Sequence, residues 1–231
     1  MSDNGIMQKK TVQAILFDLD GTLVDTIEDI QNALNSALEF EGLSPLDARM
    51  TQKVVGRGLR NALIGAVELK GKTLPSDQID RMYAAMMEYY RENPCVKSKA
   101  YEGILPLLEG LDRQEIPIAV FSNKEDGLTG KVVRTLFPHI RFAWVRGMRN
   151  DFPRKPDRAG ILYFANKEQL PVENLLYVGD SEVDYQTAVN AGCKHILVSW
   201  GFRPREDLAR LSASHLVDSV EELQEAINDL Q

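Results

Sequence analysis

The sequence predicts an α/β fold in which a parallel sheet flanked by helices carries a smaller, purely helical insertion. Short apolar segments alternate with helical patterns after residue 99, which is typical of βαβ units and of a parallel sheet. Another apolar segment precedes residue 18, whereas only helical patterns occupy residues 23–98. We therefore predict that residues 1–22 and 99–231 form one core, and that residues 23–98 form an inserted helical domain.

Local patterns predict the elements in order, beginning at the N-terminus. Residues 12–17, VQAILF, form an apolar run that ends in acids and a glycine, which predicts a buried strand. In the insertion, apolar residues three or four positions apart predict helices at 27–41, 58–70 and 76–92. After the insertion, strands are predicted at 116–122, 141–145, 174–180 and 195–200. Helices are predicted at 102–114, 125–136, 157–168, 183–191 and 219–230.

Composition and charge restrict the class of partner. The 231 residues carry a formal net charge of −7, which argues against nucleic acid or an anionic membrane as the main partner. No apolar run approaches the ~20 residues of a membrane span, and the segment MSDNGIMQKKT lacks the apolar part of a signal peptide. We expect a cytoplasmic monomer or homodimer whose two cysteines, Cys95 and Cys193, are reduced thiols.

Polar residues follow three of the predicted core strands at the point where each strand ends. They are Asp18 and Asp20 after the first strand, Ser122 and Asn123 after the second, and Asp180 after the fourth. Lys155, in the segment RKPD before a helix, belongs to the same edge. Ligands of open parallel sheets bind beyond the carboxyl ends of the strands, so a functional site is predicted there.

The concentration of carboxylates at this edge indicates a hard cation. Asp18, Asp20 and Asp180 converge, with Asp184 one helical turn further on. Such oxygen ligands suit Mg²⁺, which takes one or two carboxylates together with water and phosphate oxygens. Zn²⁺ would prefer His and Cys, and the three histidines show no ligand spacing. Mg²⁺ is therefore the predicted cofactor.

A cation and Lys155 would offset the acids and make the pocket attractive to a phosphate group, to which Ser122 could donate its hydroxyl. An ionised aspartate can attack phosphorus, and a second acid must then protonate the leaving alkoxide and later activate water. We predict that Asp18 attacks and that Asp20 transfers the protons. The predicted partner is a small phosphorylated metabolite.

Four motifs resemble, in order, those of the haloacid dehalogenase superfamily of phosphatases: DLDGTLVD at 18–25, SNK at 122–124, KP at 155–156 and GDSEVD at 179–184. Within that superfamily, the pattern is similar to phosphoglycolate phosphatase-like enzymes. The motifs and the insertion span nearly the whole chain. The resemblance implies a Rossmann-like core with a mobile, small α-helical cap, here residues 23–98.

The resemblance also implies roles for single residues. Asp18 would be the nucleophile and a Mg²⁺ ligand, and Asp20 the general acid and base, whose backbone carbonyl reaches the metal. Ser122 and Asn123 would hold phosphate. Lys155 would stabilise the nucleophile and the transferring phosphoryl group.

The remaining roles concern the metal and the substrate. By the same resemblance, Asp180 is the third metal contact and Asp184 stands behind the metal ligands. The dehalogenases of the superfamily lack an acid at the position of Asp20, so this residue favours phosphate chemistry over carbon–halogen cleavage.

The segment GRGLRNAL at 56–63 resembles the part of the cap that such enzymes point at the substrate. Arg57, Gly58 and Arg60 are therefore candidates for substrate specificity, although a solvated charged face explains the two arginines equally well. Lys124 is interpreted as a solvated lysine that could touch the substrate.

The predicted function is Mg²⁺-dependent hydrolysis of a small phosphomonoester through an aspartyl-phosphate intermediate. Phosphoglycolate is the first candidate substrate, on resemblance alone. Two alternatives stay open. One is a β-phosphoglucomutase-like phosphomutase, which returns the phosphoryl group to a sugar, and the other is a non-enzymatic protein that binds phosphate or a partner on the same fold.

Overall fold

The computed structural model describes residues 11–231 and contains a six-stranded parallel sheet with helices on both faces. Its strands are β1 (Ala14–Phe17), β4 (Ile118–Glu125), β5 (Phe142–Met148), β6 (Leu175–Gly179), β7 (Lys194–Val198) and β8 (Leu216–Val217). The spatial order is β5-β4-β1-β6-β7-β8. A second, two-stranded sheet pairs β2 (Val24–Asp25) with β3 (Lys99–Ala100). The predicted α/β fold with a parallel sheet is confirmed.

Strand β1 lies in the middle of the large sheet, between β4 and β6. All four of its side chains are buried, as expected for a strand that helices cover on both faces. Ile15 is opposite Ile118 on one side and Leu176 on the other. This central position brings the residues after β1 between the ends of two neighbouring strands.

The helices of the insertion are α1 (Ile27–Phe40), α2 (Ala48–Val54), α3 (Leu59–Leu69) and α4 (Ser76–Glu92). Those of the core are α5 (Ile104–Arg113), α6 (Asp126–Leu136), α7 (Ala159–Glu168), α8 (Glu182–Ala191), α9 (Arg205–Leu208) and α10 (Val220–Leu230). None of the helices between residues 11 and 231 is both long and apolar enough to cross a membrane.

The four inserted helices, called the cap from here on, have an apolar core of their own. Leu34, Leu63 and Met86 are completely buried in it. Two residues of the sheet-containing core, Leu128 and Phe202, belong to the same cluster. The cap is therefore packed against the core through a shared apolar seam.

Residues 23–98 are not purely helical, and in this respect the prediction was wrong. Val24 and Asp25 form a short antiparallel pair with Ala100 and Lys99, so the two chain segments that join cap and core run side by side. Helix α2 was also missed, because Thr51 is its one buried residue and no apolar period marks it. The predicted boundaries at residues 22 and 99 lie next to this pair and stay a prediction.

Candidate active site

The residues predicted to act in catalysis, phosphate binding and metal binding meet at the carboxyl edge of the sheet. Asp18 follows β1 directly, Asp180 follows β6 directly, and Ser122 lies in the last half of β4, which continues to Glu125. Because these three strands are neighbours, their ends bring together residues that are more than 100 positions apart in the chain.

Three carboxylates and one ammonium group form the centre of the site. One oxygen each of Asp18, Asp180 and Asp184 lie within 4.8 Å of one another, and all three residues are buried. Lys155 is also buried, with its Nζ atom 2.9 Å from Asp18 Oδ1 and 2.6 Å from Asp184 Oδ1. One ammonium cannot balance three ionised acids, so the cluster carries excess negative charge when all of them are ionised.

The surroundings of Asp18 and Asp180 favour the protonated forms of these two acids. Burial, opposed by Lys155 and assisted by Asp184, raises the pKa of Asp18 to about 7. Burial and the charges of Asp184 and Asp18 raise the pKa of Asp180 well above its ordinary value. Burial alone would lower the pKa of Lys155, but the charges of Asp18 and Asp184 raise it well above the ordinary lysine value.

These residues fit a magnesium ion. Asp18 Oδ1 is buried and accepts no well-directed hydrogen bond within the described chain, although the Lys155 ammonium is 2.9 Å away. The donors are hard carboxylate oxygens, the ligand type that Mg²⁺ prefers. A divalent cation would also favour the ionised forms of Asp18 and Asp180, against the burial and the mutual repulsion that raise their pKa values.

Glycines shape the wall around Asp180. A Cβ atom on Gly21, whose φ is +87°, would lie 2.3 Å from Asp180 Oδ2. A Cβ atom on Gly201 would lie 2.3 Å from both Cβ and Oδ2 of Asp180, and 2.5 Å from the Gly21 carbonyl oxygen. The carboxylate therefore fits only because both neighbours lack side chains.

Asp184 has hydrogen-bond partners on both of its oxygens. Oδ2 accepts from the N–H and hydroxyl of Ser181, which caps the N-terminus of α8, and Oδ1 accepts from Lys155. Asp180 Oδ2, in contrast, accepts from the Phe202 N–H at 2.7 Å. This difference in hydrogen bonding supports the prediction that Asp180 binds the metal and that Asp184 lies next to the metal ligands without binding the metal itself. Both roles stay predictions.

Asp20 lies apart from the three clustered acids. Its Oδ1 atom accepts from the Thr26 hydroxyl at 2.8 Å and from Lys124 Nζ at 3.0 Å. The interpretation of Lys124 as a solvated lysine was wrong, because its side chain is completely buried and also donates to the Tyr90 hydroxyl of the cap. The sequence pattern could not show this, since the partner of Lys124 is a cap residue 34 positions away.

The two residues predicted to hold phosphate differ in their contacts. Ser122 is buried and lines the cavity, and its hydroxyl oxygen accepts the Lys124 N–H at 3.3 Å. The Asn123 amide accepts the Lys155 N–H at 2.9 Å and donates to the carbonyl of Lys155 at 3.2 Å and of Gly56 at 3.5 Å. Its side chain thus positions Lys155, so a contact from Asn123 to phosphate would come from its backbone.

A small cavity lies between the acids and the cap. Asp18, Asp20, Ser122 and Lys124 line its floor. Its roof is formed by cap residues that are mostly apolar or glycine: Ile30, Val55, Gly56, Gly58, Leu59 and Ala62. The centres of water molecules can enter about 40 Å³, where about 10–15 Å³ holds one water. In this position of the cap, the cavity accepts a small group.

The three specificity candidates occupy different places. Gly58 lines the cavity, whereas Arg57 and Arg60 are not among its lining residues. Arg57 is largely exposed and pairs with Glu182 at 3.2 Å, and Arg60 pairs with Asp80 inside the cap at 2.7 Å. A substrate contact of either arginine stays a prediction that requires another position of the cap or of the side chain.

Sequence reasoning missed Arg203. Its guanidinium donates to the carbonyls of Gln52 and Val55 at 3.1 and 2.8 Å and pairs with Glu182 at 2.9 Å, so it joins the core to the end of α2. The residue also lines the cavity. One signal was present in the sequence, because Arg203 follows the fifth predicted strand at the same edge of the sheet.

Comparison with known proteins supports this description. The family model for haloacid dehalogenase-like hydrolases matches residues 15–198. A phosphoglycolate phosphatase of Chromobacterium violaceum is 30% identical over 218 residues, which cover 94% of this chain and 97% of that protein. One from Agrobacterium fabrum is 34% identical over 187 residues, which cover 81% of this chain and 80% of that protein.

A solved structure agrees with these relatives. The crystal structure of a predicted phosphoglycolate phosphatase from Haemophilus somnus has a TM-score of 0.82 and 27% sequence identity to this chain. The match covers 93% of this chain and 98% of that one.

Fold and site together define an α/β enzyme with an acidic centre beneath a helical cap. The chain belongs to the haloacid dehalogenase-like hydrolase family. The predictions of family, fold class and an enzymatic function are confirmed.

Proposed function

We propose that this protein is a Mg²⁺-dependent phosphatase that hydrolyses a small phosphomonoester through an aspartyl-phosphate intermediate. The observation that carries the proposal is the buried cluster of Asp18, Asp180, Asp184 and Lys155 next to Asp20 under the cap. The similarity to proteins named phosphoglycolate phosphatase supports the same class of reaction.

In the first half of the reaction, an ionised oxygen of Asp18 attacks the phosphorus atom. The bond from phosphorus to the ester oxygen breaks, and the electron pair leaves with that oxygen, which takes a proton from Asp20. In the second half, a water molecule gives its proton to Asp20 and attacks the phosphorus of the aspartyl-phosphate. Inorganic phosphate leaves, and Asp18 is ionised again.

Asp18 and Asp180 would hold Mg²⁺ together with the backbone carbonyl of Asp20. When bound, the cation supplies positive charge to the acids and to the transferring phosphoryl group. Lys155 adds a fixed positive charge beside Asp18, and Ser122 is buried at the cavity floor where its hydroxyl can bond a phosphate oxygen.

Phosphoglycolate is the proposed substrate. The small cavity favours a small ester, and the curated relatives carry this substrate in their names. The mostly apolar roof offers few groups that could recognise a large polar substrate.

The test is release of inorganic phosphate from a panel of phosphorylated metabolites, with and without MgCl₂. We expect the highest kcat/KM for phosphoglycolate and no activity in EDTA. Asp18→Asn should reduce kcat by at least about 10³-fold, because the nucleophile is lost. Asp25→Asn is the matched control. Within residues 11–231, the Asp25 carboxylate accepts one hydrogen bond, from the Ile27 N–H, so this variant should retain most of the activity.

The outcomes separate the alternatives. A flat profile across the panel would reject phosphoglycolate and keep the phosphatase class. Turnover that requires a sugar bisphosphate as activator would identify a phosphomutase. Phosphate binding without turnover, unchanged in Asp18→Asn, would identify a non-enzymatic binding protein.

A further inference from the structure

Lys124 is a buried lysine to which the proposed reaction assigns no role. Its side chain is completely buried, and its Nζ atom lies 3.0 Å from Asp20 Oδ1 and 2.5 Å from the Tyr90 hydroxyl. It also lies over the Tyr90 ring, 4.7 Å from the centroid. Burying an ammonium group costs free energy unless it is paired with polar or charged partners. The position of the Lys124 ammonium is therefore set by Asp20 and Tyr90.

The partners of Lys124 come from different parts of the molecule. Asp20 belongs to the core, directly after the segment that holds Asp18, whereas Tyr90 belongs to helix α4 of the cap. Tyr90 is itself completely buried. Lys124 is therefore a direct polar connection between a cap helix and the proposed general acid.

The hydrogen bonds of Asp20 are unequal. Both donors, the Thr26 hydroxyl and the Lys124 ammonium, reach Oδ1. Within residues 11–231, no hydrogen bond reaches Oδ2, and Asp20 lines the cavity with an 18% exposed side chain. A proton on a carboxyl group avoids the oxygen that already accepts from a cation, so a proton carried by Asp20 sits on Oδ2.

We propose that Lys124, held by Tyr90 of the cap, is a positioning residue for Asp20. Together with Thr26 it fixes Oδ1 and leaves Oδ2 as the oxygen that carries the proton to the leaving group. Docking of α4 and orientation of the general acid are coupled through this one ammonium group. The inference rests on the proposed phosphatase function.

The test compares two leaving groups. An alkoxide needs a proton as it leaves, whereas p-nitrophenolate is a weak base and leaves without one. Because kcat/KM covers the steps up to departure of the leaving group, a defect in acid positioning lowers it for an alkyl ester and spares p-nitrophenyl phosphate. The alkyl ester is the best substrate from the metabolite panel.

We expect Lys124→Met to lower kcat/KM for the alkyl ester about 10- to 100-fold more than for p-nitrophenyl phosphate. Thr26→Val and Tyr90→Phe should show the same selective loss, smaller for Tyr90→Phe because the ion pair with Asp20 remains. These two variants carry the test if Lys124→Met does not fold. Adding Lys124→Met to Asp20→Asn should cause no further selective loss, since both changes act on one group.

Lys131→Met is the matched control. Lys131 is another core lysine that donates to α4, reaching the carbonyl of Arg91 at 3.1 Å, and it does not contact Asp20. This variant should affect both esters equally or not at all.

Equal losses for both esters in the Lys124, Thr26 and Tyr90 variants, or a rise in KM at unchanged kcat, would overturn the inference. The second result would mean that Lys124 binds the substrate directly. If the wild-type protein releases no phosphate from any ester with Mg²⁺, the proposed function fails instead, so the two failures are distinguishable.

Discussion

The three clustered acids illustrate how much the site depends on single residues. Asp18, Asp180 and Asp184 share one ammonium group, that of Lys155, and each is buried. Such a cluster is unfavourable for stability and favourable for binding a cation and a phosphate group. Its electrostatics lead to a testable dependence on pH.

The first prediction concerns MgCl₂ and thermal stability. Because the pKa values of Asp18 and Asp180 are raised by burial, the metal-free folded protein binds more protons than the unfolded chain between about pH 4 and pH 7. Its free energy of unfolding should fall as the pH rises through this window. Lys155, whose pKa is raised, stays charged throughout and does not change the slope.

Mg²⁺ requires ionised carboxylates, so MgCl₂ should raise Tm more at pH 8 than at pH 5. Differential scanning fluorimetry measures both values. Asp180→Asn should remove most of the effect at pH 8. An equal shift at both pH values would contradict the assignment of these acids as metal ligands.

The second prediction concerns Gly201. In Gly201→Ala, the new methyl group would lie 2.3 Å from Asp180 Oδ2, so the carboxylate must move. We expect Mg²⁺ affinity to fall about 10- to 100-fold, as for other changes that displace a metal ligand. Isothermal titration with MgCl₂ measures this.

Gly110→Ala is the control for this substitution. Gly110 lies inside helix α5, and apart from the adjoining residues and the backbone of the helix itself, the nearest atom to its Cβ position is in the Arg113 side chain, 3.9 Å away. The change should leave Mg²⁺ affinity unaltered and stabilise the fold by up to about 1 kcal/mol. Unaltered Mg²⁺ affinity in Gly201→Ala as well would show that Asp180 can shift without consequence.

At the scale of elements, helix and strand ends position the site. Helix α8 begins at Glu182 and is capped by Ser181, and the reciprocal hydrogen bonds between Ser181 and Asp184 fix this acid as they cap the helix. Helix α2 ends at Val54, where the Arg203 guanidinium donates to the carbonyl of Gln52 and to that of the C-cap residue Val55. The N-terminal end of α8 therefore fixes the site residue Asp184, and the C-terminal end of α2 attaches the cap to the core.

The third prediction concerns this attachment of α2. Arg203→Met leaves the carbonyls of Gln52 and Val55 without the guanidinium donor, and it leaves Glu182 paired with Arg57 alone. Against the effect of burial, Arg203 helps to hold the pKa of Glu182 down. We expect a loss of stability of about 1–3 kcal/mol and faster amide hydrogen exchange over residues 48–58. Exchange in helix α7, which Arg203 does not contact, is the internal reference.

Unchanged exchange over residues 48–58 would show that the shared apolar seam, rather than Arg203, holds α2. Arg203→Lys should recover only part of the protection, because a single ammonium cannot replace the planar fork of the guanidinium.

At the scale of the whole molecule, cap and core are two apolar clusters joined by a seam. Leu128 and Phe202 of the core lie in the apolar cluster of the cap. The two connecting segments pair as β2 and β3, and Asp29 of α1 accepts the N–H groups of Lys97 and Ser98 at the exit from the cap. These contacts predict that the two units unfold together.

The fourth prediction tests this cooperativity. Both tryptophans, Trp144 and Trp200, belong to the core, so their fluorescence reports on core unfolding alone. Leu63→Ala creates a cavity in the cap and should cost about 2–5 kcal/mol. If the units unfold together, the urea midpoint of tryptophan fluorescence falls accordingly.

Leu69→Ala, in the same helix but with a residue that is 45% exposed, should change stability by less than about 0.5 kcal/mol. A tryptophan midpoint that does not move in Leu63→Ala would show that the cap unfolds independently of the core.

Sequence patterns were sufficient for the elements that have strong periodicity and for residues at strand ends. Asp18, Ser122 and Asp180 were placed at one edge because parallel strands align their carboxyl ends. Patterns failed for α2 and for β8, a strand of two residues, since neither has an apolar period long enough to detect. They also failed for Lys124, whose burial depends on cap residues distant in the chain.

By itself, the sequence determined the α/β class, the helical insertion and the acids of the site, because apolar periodicity and strand-end position are local properties. The tertiary structure decided which charged residues meet. It placed Lys124 between Asp20 and Tyr90, directed Asn123 to the backbone of Lys155, and kept Arg60 in a pair within the cap. The physical reason is that burial and ion pairing depend on how cap and core pack, and no local pattern encodes that packing.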